Sequence, residues 1–125
     1  MPMPKFEDVA PSAPFLQQQE IDVEGPVVLL NTFTVPSDKA DEMLENWRED
    51  ASIMKQQPGF ISAQMHRAVG SPDVMVNYAV FESMSAYRKA FQNPDFRATI
   101  AKAPEGAVTR PILLQKLAVP GICLA

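Results

Sequence analysis

The sequence has little of the residue types that build metal centres and disulfides. It contains one cysteine, Cys123, and one histidine, His66. A single cysteine leaves no internal disulfide and no cysteine cluster for zinc, and a single histidine excludes a histidine-rich metal centre. Because unpaired thiols are typical of reducing compartments, we expect a cytoplasmic location.

Long apolar runs and basic runs are also missing. The longest apolar runs, such as VVLL at residues 27–30, are far too short for a bilayer, which takes about 20 residues to cross. The 11 lysines and arginines are scattered among 15 acidic residues, and the net charge is −4. We therefore expect neither nucleic acid nor a membrane as a partner. The N-terminus shows no apolar secretory segment.

Motifs of several catalytic classes are absent from the sequence. Its 5 glycines form no phosphate-binding loop, and neither a Gly-x-Ser-x-Gly motif nor a two-histidine metal motif occurs. Phosphoryl transfer and metal-dependent hydrolysis are therefore not expected. The amino-acid composition is that of an ordinary globular protein, since 46% of the residues are hydrophobic. A chain of 125 residues with this composition predicts one domain with its own core.

Proline content and hydrophobic periodicity divide the chain into two parts. Residues 1–25 contain four prolines by Pro14 and show no sustained period, so we expect an extended N-terminal arm. Its apolar residues predict that part of the arm lies on the domain or on a partner subunit, and a disordered leader is the alternative. Residues 26–125 carry the regular patterns and form the predicted domain.

The domain shows strand and helix patterns in a fixed order. Apolar residues predict a strand at Val27–Val35, and a stripe with helical spacing predicts a helix at Asp38–Gln56. Two alternating strands, Phe60–Val69 and Val74–Phe81, predict a hairpin. The remaining elements are a helix after Ser83 that restarts at Asn93-Pro94, a loop at Ala103–Pro111 and a strand at Ile112–Val119.

This order of elements predicts the fold class. Strand, helix, strand, strand, helix, strand is the β-α-β-β-α-β, or split βαβ, arrangement of an α+β, ferredoxin-like fold with an antiparallel sheet. Its helices cover one face of the sheet. Because Val76, Tyr78 and Val80 alternate onto the other face, we expect two copies to pack sheet to sheet as a homodimer.

The first helix carries most of the acidic residues. We interpret its carboxylates, from Asp38 to Asp50, as a solvated outer face, and Trp47 in the apolar stripe as a core residue.

Three residues are candidates for chemistry from their surroundings alone. Asn77 is an amide in an apolar strand, and a buried amide needs hydrogen-bond partners that a ligand can supply. Tyr87 lies on the inward face of the following helix, with Phe91 one turn later. His66 is the one side chain whose ordinary pKa suits a base near neutrality. A satisfied core amide, a packing tyrosine and an edge histidine are the structural alternatives.

Three segments resemble the antibiotic biosynthesis monooxygenase domain: PGFISAQMHR, VNYAVFES and AYRKAFQNPDFRA. The family pattern has a P-G-F turn into a strand and a V-N-Y-A-x-W-E-S segment before a helix, and the similarity covers about residues 27–119. The resemblance implies a dimeric α/β barrel. In one branch it implies oxidation of polyketide anthrones by O2 without a cofactor, in which the deprotonated substrate supplies the electron.

The resemblance also assigns roles to residues. The family's arginine falls on Arg97, which would stabilise a phenolate or enolate oxygen. A family active-site tyrosine falls on Met65, next to His66, and the family tryptophan falls on Phe81. The expected catalytic residues are Asn77, Tyr87, Arg97 and His66. The expected substrate-contacting residues are Phe81, Met65, Asn31 and Phe91.

A second branch of the family degrades haem. Its strand asparagine falls on Asn31, but its axial histidine falls near Ile100, so we expect no haem and no other cofactor. The predicted function is a cofactor-independent monooxygenase that oxidises a small aromatic, phenolic or quinol-like compound with O2. Two alternatives remain open: a dimeric binding or accessory protein without turnover, and a cyclase or isomerase for polyketide-type substrates.

Overall fold

Four strands of eight residues form most of the sheet in the computed structural model, which describes residues 5–125. They are β2 (Val27–Thr34), β3 (Phe60–Arg67), β4 (Val74–Phe81) and β5 (Val108–Gln115), and they pair antiparallel. A short strand, β1 (Lys5–Phe6), pairs in parallel with β5. The order across the sheet is β1-β5-β2-β4-β3. The first four residues of the predicted arm lie outside the described residues.

Four α-helices accompany the sheet: α1 (Phe15–Gln18), α2 (Ala40–Met54), α3 (Met84–Phe91) and α4 (Pro94–Ile100). The Ser83 hydroxyl caps α3 by accepting a hydrogen bond of 3.0 Å from the backbone nitrogen of Ala86. Asn93 caps α4 in the same way, which restarts the chain in a new helix. Within residues 5–125, no helix is long and apolar enough to cross a membrane.

The predicted α+β, ferredoxin-like fold is confirmed. The elements from β2 to β5 follow the predicted β-α-β-β-α-β order around an antiparallel sheet. The sheet of the single chain is open, so the dimeric barrel stays a prediction. The last strand begins at Val108 and not at Ile112, because residues 108–111 already pair with β2. It ends at Gln115 rather than at Val119.

The alternation of β4 separates its two faces as predicted. Met75, Asn77 and Ala79 are buried on the inner face, under the helices, whereas Tyr78 on the outer face is 39% exposed. The core lies between the inner face and the helices. Its largest fully buried side chains are Tyr87, Phe81, Met43, Met75 and Val27.

A bulge in β3 changes which residues share a face. The pairing with β4 shifts between Phe60 and Ser62. Phe60 is therefore opposite an inner-face residue, while His66 is opposite Val76 on the outer face. A strict alternation from Phe60 onward would have placed Phe60 and His66 on the same side.

The N-terminal segment lies on the domain through several contacts. Phe15 is 4% exposed and packs edge to face against Phe91, with ring centres 5.5 Å apart. The Gln18 amide donates to the Leu113 carbonyl and accepts from the Leu113 nitrogen, both at 3.0 Å. Arg88 donates to the Gln19 carbonyl at 2.5 Å. These bonds hold the segment across β5 and α3.

Replacing Phe15 by alanine is expected to lower the free energy of unfolding by about 3 to 5 kcal/mol, because truncating a buried aromatic side chain leaves a cavity. Leu16, the next residue, is 67% exposed, so Leu16→Ala should change it by less than about 0.5 kcal/mol. Urea unfolding curves measure both values. Small and equal losses would show that this segment adds little to stability.

Candidate functional site

A cavity lies between the inner face of the sheet and helices α2, α3 and α4. Its empty volume is about 810 Å³ with the open mouth included, of which the centres of water molecules reach about 80 Å³. One water molecule needs about 10 to 15 Å³ of such space, so the interior that whole molecules can enter is small. Its walls are mainly aromatic and aliphatic, and they include Phe15, Phe33, Trp47, Phe60, Phe81, Phe91 and Phe96.

The sheet contributes three polar side chains to the cavity. Asn77 of β4 lies directly opposite Asn31 of β2 in the pairing. The Thr109 hydroxyl donates to the Oδ1 atom of Asn31 at 2.7 Å, which fixes that amide. Asn77 is 8% exposed, and its Oδ1 atom has no hydrogen-bond partner within residues 5–125. A bound ligand can therefore use the Asn77 amide.

Helix α2 contributes two more polar side chains to the cavity, Asn46 and Asp50, which lie one helical turn apart. Each is 7% exposed and lines the cavity. Asn46 donates from its Nδ2 atom to the Thr99 carbonyl at 2.9 Å, which leaves its Oδ1 atom as a free acceptor. The Oδ1 atom of Asp50 likewise lacks a partner in the described part of the chain.

The placement of Asp50 corrects the prediction that the carboxylates of this helix are solvated. Asp50 lies seven residues after Met43 and four before Met54, and both methionines are buried. At 3.6 residues per turn this spacing puts all three side chains on one face. The inward stripe of α2 is therefore interrupted by a carboxyl group. Trp47, predicted as a core residue, is half-buried and forms part of the cavity wall.

Burial changes the acidity of the Asp50 carboxyl. Removal from water raises its pKa from 3.8 to about 7, the Thr99 hydroxyl opposes this rise, and the charge of Glu49 adds to it. Both protonation states of Asp50 are therefore populated near neutral pH. A carboxyl group with this property in a cavity is typical of acid–base sites.

Tyr87 is a second titratable residue in the cavity wall. It is 1% exposed and packs edge to face on Phe81, with ring centres 5.3 Å apart. Burial raises the pKa of its hydroxyl far above the usual value, and the charge of Arg97 only partly opposes this. Tyr87 therefore stays protonated at neutral pH and acts as a hydrogen-bonding group.

The structure brings together five of the predicted site residues. The cavity wall contains Asn31, Asn77, Phe81, Tyr87 and Phe91. Met65 lies opposite Asn77 on the inner face but packs against the apolar cluster around Phe33 and does not line the cavity.

Arg97 and His66 are not in the cavity wall, which corrects their predicted placement. Arg97 is exposed, its Nε atom donates to the Phe91 carbonyl at 2.8 Å, and its guanidinium carbon lies 4.4 Å from the Phe91 ring centre. A new helix, α4, begins after Asn93, and this start sets which face of α4 turns toward the cavity. Arg97 lies on a different face of the helix. His66 is exposed on the outer sheet face, 3.1 Å from the Val76 carbonyl, because of the bulge in β3.

Sequence reasoning missed Asn46, Asp50 and Thr109. The spacing of Asn46 and Asp50 within the apolar stripe of α2 was the available signal for the first two. Thr109 falls within the predicted loop at Ala103–Pro111, although it belongs to β5. Among residues 5–125, no three histidine, cysteine, aspartate or glutamate residues are grouped to hold a metal ion.

Comparison with protein families shows which family the chain belongs to. Residues 26–102 match the family model of antibiotic biosynthesis monooxygenases. The chain belongs to the antibiotic biosynthesis monooxygenase family. The match runs from the start of β2 to the end of α4, so it includes Asn46, Asp50, Asn77 and Tyr87. Among curated proteins, no match is found.

Solved structures of similar fold agree with this family. A variant of SnoaB, a cofactor-independent oxygenase from Streptomyces nogalater, is 22% identical with a TM-score of 0.70, over 77% of this chain and 97% of that chain. A proposed monooxygenase from Shewanella loihica PV-4 is 30% identical with a TM-score of 0.65, over 79% and 99%. A proposed antibiotic biosynthesis monooxygenase from Caulobacter crescentus CB15 is 19% identical with a TM-score of 0.67, over 81% and 98%.

Asp50→Asn is expected to remove a pH dependence of stability in this family member. The pKa of Asp50 is higher in the folded protein than the ordinary value of 3.8, so the unfolded chain ionises first as pH rises. The wild-type protein should lose stability between about pH 4 and pH 7, by at most on the order of 4 kcal/mol, and stay level above that range. The variant should lack this loss.

Denaturant unfolding at a series of pH values measures the effect. Glu49→Gln, which changes an exposed carboxyl on the same helix, is the control and should keep the loss. Identical pH profiles for the wild type and Asp50→Asn would contradict the raised pKa.

Proposed function

We propose that this protein is a cofactor-independent monooxygenase that oxidises a small aromatic, phenolic or quinol-like compound with O2 inside the cavity. Membership of the monooxygenase family supports the reaction class. The observation that carries the proposal is the free hydrogen-bonding capacity of buried groups in an aromatic-walled space. Among residues 5–125, the oxygens of the cavity wall that lack a partner belong to Asn46, Asp50 and Asn77.

An aromatic substrate with polar substituents matches this wall. Its ring gains contact area from the aromatic side chains, which include Phe81 and Phe91. Its oxygen atoms reach partners on both sides, because Asn77 lies on the sheet and Tyr87 lies on a helix. Ligand sites in proteins are usually built in this way, from an apolar wall with a few converging polar groups.

The proposed oxidation balances without a reductant. Conversion of a ring CH2 group to a carbonyl by one O2 molecule releases one H2O molecule. The substrate supplies all the electrons once it has lost a proton, so the protein has to bind the substrate, accept a proton and exclude water. A buried site favours this chemistry because electrostatic interactions are stronger there than in water.

Asn77→Ala and Tyr87→Phe are each expected to lower the rate of enzymatic oxygen uptake with dithranol by about 10-fold or more, because each removes a hydrogen-bonding group at the developing charge. An oxygen electrode measures the rate after subtraction of spontaneous oxidation. Tyr78→Phe is the matched control, since Tyr78 lies on the outer face and should keep the wild-type rate. Unchanged rates in both buried variants would contradict the proposal, and tight binding without oxygen uptake would favour a non-catalytic binding protein.

We also propose that two copies pair through the outer face of the sheet, in the cytoplasm. Tyr78 and Leu114 are each 39% exposed on this face, and Leu30 and Ile112 are half-buried between them. Pairing of two such faces removes apolar surface from water in a symmetric contact.

Tyr78→Glu is expected to convert the proposed dimer into a monomer, because it places a charge in the centre of the apolar face. Sedimentation velocity measures the mass. Leu44→Glu is the control, since Leu44 is 36% exposed on α2 and lies away from the outer face. A wild-type monomer, or a Tyr78→Glu dimer, would rule out this contact.

A further inference from the structure

We propose that Asp50 is the catalytic base of this site: its carboxylate takes the acidic proton of the bound aromatic compound, beside the acceptor oxygen of Asn46. This inference rests on the proposed function and adds a residue for which neither the sequence pattern nor the family resemblance provides a role.

The geometry of α2 is the first argument. Asp50 and Asn46 stand one turn apart on the wall of the cavity, and both are 7% exposed. The bond from Asn46 to the Thr99 carbonyl fixes which end of the amide is free, and that end is an oxygen. Two residues of α2 that line the cavity therefore each carry a buried acceptor oxygen that has no partner within residues 5–125. Two acceptors side by side need a group that carries hydrogen.

The other candidates for a base are excluded by position or by acidity. His66 lies on the opposite face of the sheet. Tyr87 lines the cavity, but its hydroxyl keeps its proton at neutral pH because burial raises its pKa. Asp50 is the remaining titratable group among the residues that line the cavity, as far as the structure describes the chain.

The charges around Asp50 agree with this role. On its own helix the neighbour is Glu49, whose negative charge disfavours ionisation of Asp50. From α4 the facing group is the neutral Thr99, while Asp95 and Arg97 are exposed on that helix. From α3 the titratable group in the wall is Tyr87, and the described strands of the sheet place no charged side chain in the wall. The resulting pKa of about 7 lets Asp50 both accept and return a proton near neutrality.

The proton transfer fits the oxidation step by step. The C–H bond of an acidic ring CH2 group breaks, the proton goes to the Oδ1 atom of Asp50, and the electron pair stays on the substrate as an enolate. The enolate forms a C–O bond with O2, and Asp50 returns its proton to the terminal oxygen to give a hydroperoxide. Loss of water breaks the O–O bond and the second C–H bond and leaves the carbonyl. Asp50 ends as the carboxylate.

Hydrogen exchange without oxygen tests the base directly. Dithranol in deuterated buffer under nitrogen is mixed with the protein, and proton NMR follows the exchange of its CH2 hydrogens. The wild type should accelerate exchange over buffer, with a rate that rises with pH to a plateau and a midpoint near pH 7. Asp50→Asn should lower the enzymatic rate by about 100-fold or more and remove the midpoint.

Glu49→Gln is the matched control on the adjacent residue. It should keep the plateau rate and move the midpoint to lower pH, because it removes a negative charge that disfavours ionisation of Asp50. This shift tests the assignment even if Asp50→Asn does not fold. An unmoved midpoint, or wild-type exchange in a folded Asp50→Asn variant, would overturn the inference.

Oxygen uptake by the same proteins separates this inference from the proposed function. Exchange that depends on Asp50 without oxygen uptake in air supports the base and contradicts the monooxygenase. Oxygen uptake that is equal in the wild type and Asp50→Asn supports the monooxygenase and overturns the base. Neither exchange nor uptake with the wild type overturns both.

Discussion

Several polar atoms in the cavity wall lack hydrogen-bond partners within the described residues, and this destabilises the fold. A buried polar atom without a partner costs about 1 to 3 kcal/mol. Asn46, Asp50 and Asn77 each carry an oxygen that has no partner in the part of the chain that the structure describes. The surrounding packing has to offset this cost. The edge-to-face contacts of Phe81 and Tyr87 supply part of that packing. The bonds from Thr109 to Asn31 and from Asn46 to Thr99 hold the Asn31 and Asn46 amides in place.

Much of the fold could be predicted because its signals are local. The alternation of β4 placed Asn77 on the inner face, and Ser83 marked the start of α3. Both signals depend on a few consecutive residues, and the pairing and capping bonds follow them. The same locality explains why Tyr87 was placed correctly, since it follows the cap by one turn.

The errors arose where position depends on more distant geometry. The bulge after Phe60 moves His66 to the opposite face of the sheet. No residue type in the sequence predicts this bulge. Arg97 belongs to a helix whose direction is reset at Asn93, so its face does not follow from α3. The charge of Asp50 predicts a solvated side chain, whereas its spacing from Met43 and Met54 decides its position. In each case the face of the strand or helix on which the residue lies, and not its chemical type, determines where its side chain is placed.

Part of the cavity wall comes from outside the family domain. Phe6 and Phe15 line the cavity, yet they precede residues 26–102, which match the family model. They are attached through β1, the Gln18 amide and aromatic contacts, and none of these bonds involves Asp50 or Asn77. Substitutions in this segment can therefore change the size of the cavity while leaving its polar groups untouched. If the proposed function holds, this segment sets the width of ring system that the cavity admits, separately from the groups that bind its oxygen atoms.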